Sequence, residues 1–165
     1  MNLSQTLLPE FDHEMSTTRR LLERVPFDKA SWKPHEKSTS LGNLAIHLAQ
    51  LPSLVSRALH TDELDFSRGY TPPKVETTQE LLALFDQHVA EGRDALANAD
   101  DEAFLEPWTM RSGDRVIFRL PKAGVVRTMV LNHVIHHRGQ LSVYLRLNNV
   151  PLPSIYGPTA DEPMV

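Results

Sequence analysis

Four stretches of this chain repeat apolar residues at intervals of three, four and seven, the spacing that gathers them on one face of an α-helix. In the first, Leu7, Leu8, Phe11, Met15, Leu22 and Val25 form the face over about residues 4–24, and Pro26 ends it for want of a backbone N–H. In the second, Ser40 is the predicted N-cap, and Leu41, Leu44, Leu48, Leu51, Val55 and Leu59 form the stripe. Pro52 falls inside this stripe and predicts a kink or a split there. The third begins at Thr77, which with Glu80 has the spacing of a capping box, and Leu81, Phe85, Val89 and Leu96 carry it to Asn98. The fourth starts near Pro121, runs to about Leu147 and stops at Asn148-Asn149.

Between the third and fourth stretches the period changes. Trp108, Met110, Val116, Phe118 and Leu120 alternate about Ser112-Gly113-Asp114, which predicts a short β-hairpin over 108–120 lying on the helices. Residues 150–165 hold 4 prolines and no helical period, so an extended strap is expected, with Leu152, Ile155 and Tyr156 needing cover. The expected architecture is all-α: one domain, 1–165, a four-helix bundle with a hairpin excursion before the last helix and an extended C-terminal tail. The connection over 59–77 is long enough to cross the bundle.

Composition narrows the chemistry. With 165 residues, a single domain buries roughly 70% of its extended surface and needs no covalent staple. It has 0 cysteines, which excludes disulfides, thiolate-ligated zinc and thiol nucleophiles. No apolar run reaches membrane-spanning length, and residues 1–10 lack the pattern of a signal peptide. A cytoplasmic protein is expected. A net charge of −4 with scattered Lys and Arg argues against nucleic acid as a partner.

The 8 histidines stand out. On a wheel of about 100° per residue with Val126 at zero, His133 falls near −20° and His137 near 20°, inside the apolar stripe one turn apart. On the same wheel His136 falls near −80°, at the rim, and Arg138 near 120°, which reads as a surface or dimer ion pair. Two imidazoles facing a core must each satisfy a donor and an acceptor, and an unpaired buried polar group costs roughly 1–3 kcal/mol. A divalent cation resolves this, because histidines at i and i+4 can bind one metal from a single helix face. A third ligand is then needed from another helix. His47, within the stripe of the second helix and one turn before Pro52, is the best candidate. Hydrogen-bonded core histidines are the plainer alternative. His13 and His88 lack partner spacing, and His35 and His60 read as solvated loop residues. Gln140, near −40°, either orients a ligand or bonds to backbone.

The segment His133-Val134-Ile135-His136-His137-Arg138-Gly139-Gln140-Leu141 resembles the DinB/YfiT-like superfamily of small bacterial proteins, which is distinct from the DNA polymerase that shares the name. Trp32-Lys33-Pro34-His35, Ser40-Leu41-Gly42 with His47, Trp108-Thr109-Met110 with Arg115-Val116, and Pro153-Ser154-Ile155-Tyr156-Gly157-Pro158 with Asp161-Glu162 extend the likeness over nearly the whole chain. The resemblance implies a four-helix bundle, a homodimer, and one divalent metal held by His47, His133 and His137. Three neutral imidazoles suit zinc, nickel, iron or cobalt, with zinc or nickel first.

Three protein ligands leave a coordination position open, which is the pattern of a catalytic site. Relatives in the wider superfamily include thiol-dependent S-transferases and a maleylpyruvate isomerase. The resemblance therefore implies a small-molecule substrate and a metal-dependent transferase using a low-molecular-weight thiol, or a hydrolase. A non-catalytic, dimeric metal- or ligand-binding stress protein is the alternative. No spacing singles out a general base; Glu36, Asp161 and Glu162 sit in loops without supporting geometry.

Overall fold

In the computed structural model, which describes residues 2–163, the first helix, α1, spans Leu3–Leu22. Asn2 caps it: its side chain accepts from the Gln5 N–H, and the Gln5 side chain accepts in return from the Asn2 N–H. The predicted break at Pro52 is a full split. Helix α2 covers Leu41–Gln50 from an N-cap at Ser40, and α3 covers Ser53–His60. The orphan carbonyl of Ala49, in the last turn of α2, is met by His88 Nδ1 at 3.0 Å. Helix α4, Thr78–Asn98, starts with the Thr77–Glu80 capping box.

The hairpin forms as β2 (Pro107–Ser112) and β3 (Arg115–Pro121), but the all-α expectation does not hold. Residues Glu63–Asp65 form a strand, β1, that pairs in parallel with β2, so the sheet is three-stranded in the order β1-β2-β3. Three residues are too few to show a period, which is why the sequence pattern missed β1. A five-residue helix, α5, Asp101–Leu105, also escaped the pattern; Asp100 caps it. The sheet seals one end of the fold through Trp108, fully buried with Ala58, Met110 and Val125, its indole N–H 3.3 Å from Thr61 Oγ1.

The last helical stretch is not uniform. It opens as α6, Lys122–Val125, passes through a π-helical segment, Val126–Leu131, and continues as α7, Asn132–Leu147. Helices α1, α2, α4 and α7 surround one core built on Phe11, Leu21, Leu44, Leu48, Leu81, Leu96, Val130 and Leu141.

The π segment corrects the helical wheel. A π turn takes up one extra residue, so a wheel stepped at about 100° through it over-rotates everything beyond by about one step. The residues α7 buries are Val134, Arg138, Leu141 and Leu145, which fall near 80°, 120°, 60° and 100° on the uncorrected wheel. His133 and His137 therefore lie at the rim of the stripe, half-buried, and not at its middle. Arg138 is at the centre: it is 1% exposed and pairs at 2.7 Å with Glu14 of α1, so the surface ion pair expected of it is also corrected.

The tail forms the extended strap. Tyr156 places its hydroxyl 2.6 Å from Glu14 Oε1 and its ring beneath the Arg138 guanidinium. Glu162 pairs with Arg20 and Arg24, and Asp161 with Arg146.

Candidate metal centre

The structure brings His47, His133 and His137 together. One ring nitrogen from each lies within 4.8 Å of the other two. His133 Nε2 is 2.8 Å from His137 Nε2 and 3.5 Å from His47 Nε2. The ring centroids stand 4.6 to 5.2 Å apart. Two helices supply the group: α2 presents His47 one turn before the Pro52 break, and α7 presents the i, i+4 pair just after the π segment.

The other face of the His137 ring explains its orientation. His137 Nδ1 donates to Gln140 Oε1 at 2.7 Å. This bond fixes the His137 proton on Nδ1 and leaves its Nε2 as a lone pair. That lone pair faces His133 Nε2 at 2.8 Å, and His133 Nε2 lies 3.5 Å from His47 Nε2, so three ring nitrogens converge where one cation can be shared. The donor set therefore fits a divalent metal ion. Gln140, for which the sequence left two roles open, orients His137.

Protonation is disfavoured here. Burial, followed by the neighbouring His137 and His133 rings, pushes His47 down to about 4. Burial also lowers His133, against the pull of the Met129 carbonyl. Neutral imidazoles at pH 7 are the form that ligates.

The remaining histidines stay apart. His136 is exposed, its ring 4.9 Å from that of His137, and it is not part of the three-nitrogen group. His13 is exposed and stacks on Tyr156 at 6.4 Å. His35 and His60 are exposed. Among the described residues no carboxylate joins the cluster. Asp161 and Glu162, weighed as bases, are committed to the arginines that hold the tail, and Glu36 is an exposed loop residue.

A hollow of about 450 Å³ opens beside His47, between α2–α3 and residues 64–71. No pattern in the sequence marks it, because its outer wall is a connection without period. The described residues contain no helix long and apolar enough to cross a membrane.

Similarity to known proteins agrees with this architecture. A DinB-like protein, YjoA, from Bacillus subtilis superposes with a TM-score of 0.71 at 20% identity, covering 91% of this chain and 97% of that one. A DinB-like protein from Bacillus cereus ATCC 10987 gives 0.70 at 20% identity, covering 90% and 95%. In sequence, the uncharacterized protein YrdA of Bacillus subtilis (strain 168) is 25% identical over 159 residues, 94% of this chain and 89% of its own length. The DinB family model matches residues 1–163, and the chain belongs to the DinB family.

Proposed function

We propose that His47, His133 and His137 hold one divalent cation, zinc or nickel ahead of iron or cobalt, and that the chain is a metal-dependent enzyme acting on a small molecule. The observation that carries this reading is the convergence of three ring nitrogens from two helices within 4.8 Å of one another, with the His137 lone pair turned into the group by the bond to Gln140. When bound, the ion supplies Lewis acidity at an open position, lowering the pKa of a water or thiol placed there. The protein's own part is positional. Gln140 holds the His137 ring, and His47 of the cluster lines a hollow large enough for a substrate.

Of the two reactions the resemblance implies, transfer of a thiol to a small electrophile is favoured over hydrolysis. Metal-bound water and thiol can both lose a proton to buffer, but hydrolysis must also protonate its leaving group, and none of the described residues brings a carboxylic acid to the cluster for that. The same lack of a carboxyl group supports the second reading, a non-catalytic metal-binding stress protein.

Cobalt-substituted protein, purified without a histidine tag, separates them. For the transferase, a low-molecular-weight thiol shifts the cobalt spectrum with a thiolate-to-metal band, and the loaded protein conjugates monobromobimane to that thiol faster than metal-free protein does. No thiol band and no metal-dependent conjugation would sink the transferase. The homodimer implied by the resemblance is a separate proposal, tested by sedimentation velocity.

A further inference from the structure

The hollow beside His47 has a chemistry of its own. Along α2 and α3 its wall is Leu51 and Leu54, and across from them stand Leu64 and Phe66. Its volume of about 450 Å³ suits a small organic molecule. A second hollow, of about 480 Å³, lies alongside and shares Gln50, Ser53, Arg57 and Tyr70 with the first. Gln50 donates a hydrogen bond to the Tyr70 hydroxyl, so a side-chain clasp divides what is otherwise one cleft.

Arg57, exposed on α3, is the cation common to both halves. The acids around it are committed elsewhere. Asp65 meets Arg111 at 2.8 Å and accepts from Ser67 and the Gly113 N–H. Glu63 holds Arg111 through two bonds of 2.7 and 2.8 Å. Glu91 accepts from Gln87 at 2.9 Å. Among the described residues no carboxylate forms an ion pair with Arg57. An unanswered guanidinium on an apolar wall presents a planar fork that matches a carboxylate in two-point contact. A phosphate dianion calls for a second cation, and no other Lys or Arg lines either hollow.

We infer that this cleft binds a small, largely apolar molecule bearing one carboxylate, with the carboxylate on Arg57 and the apolar body lying along Leu54 and Leu51 toward His47. The inference rests on the histidine cluster being the reacting centre, since the cleft then joins an anchored anion to it. Arg57 sets which substrates enter; it does not act on the reacting atoms.

Calorimetric titration of 4-phenylbutyrate and its uncharged analogue 4-phenylbutyramide, into cobalt-loaded and into metal-free chain, tests this. The acid is expected to bind at least tenfold more tightly than the amide in both forms. In Arg57→Gln the ratio falls to near one while the amide binds as before, which shows the cleft intact. Equal binding of acid and amide by the unmodified chain, no binding of either, or a ratio that survives Arg57→Gln would overturn the inference. A ratio present only with cobalt overturns it too, since the acid is then a metal ligand. A chain that takes up no cobalt yet keeps the Arg57-dependent ratio sinks the metal reading and leaves this one standing.

Discussion

At the scale of single residues, the cluster makes a sharp distinction between adjacent histidines. His137→Ala removes a ligand and is expected to abolish stoichiometric metal, whereas His136→Ala retains it; elemental analysis of both variants is the check. Acidity gives a second handle. In the metal-free chain the folded state holds His47 near 4 against an ordinary 6.5, so between those values the unfolded chain binds the extra proton. Stability therefore rises with pH across that window, and this group's contribution is fully present above 6.5 and lost as pH falls toward 4. Thermal melts of metal-free protein from pH 4 to pH 8 should show the loss, and His47→Asn should flatten it. The identity of these residues was legible in the sequence because i, i+4 spacing survives any rotation of the helix. Their half-buried setting was not, nor was the choice of nitrogen on His137, which depends on the amide of Gln140.

Among the elements, the π segment Val126–Leu131 decides where the ligand pair points. Deleting Thr128, which is exposed, would restore α-helical register and turn the pair by about 100°. The expected result is loss of metal with helical circular dichroism preserved; retention of metal would show that the segment has no aiming role. The crossing of α3 on α4 is similarly exact in its demands. A Cβ at Gly92 would stand 2.9 Å from the Pro52 carbonyl oxygen and 3.3 Å from both Phe11 and Val55. Backbone does not yield cheaply, so Gly92→Ala is expected to cost about 1–3 kcal/mol in urea unfolding. Caps and breakers were readable in advance: Ser40, Pro52, and Thr77 with Glu80 all act locally, within a few residues of sequence. The π turn, β1 and α5 were not, because the first follows from tertiary packing and the others are too short to carry a period.

For the whole molecule, the tail and the core are tied through one buried ion pair. Glu14 and Arg138 meet at 2.7 Å, Thr18 Oγ1 lies 3.2 Å from Arg138 Nη1, and Tyr156 of the tail closes over them. Removing one partner strands the other charge in the interior. Arg138→Leu is thus expected to destabilise the chain by about 3–5 kcal/mol in denaturant unfolding, far more than loss of the half-exposed Glu162 pairs. The sequence showed that the tail needed cover, through Leu152, Ile155 and Tyr156, but the ion pair joins residues 124 positions apart and left no local trace. His137 and Arg138 are neighbours on one helix that answer to different neighbourhoods, the first to the cluster and the second to the core. On the proposed metal reading, a lesion at Glu14 is for that reason expected to be registered as weakened ion capture, with the backbone between the two side chains serving as the lever.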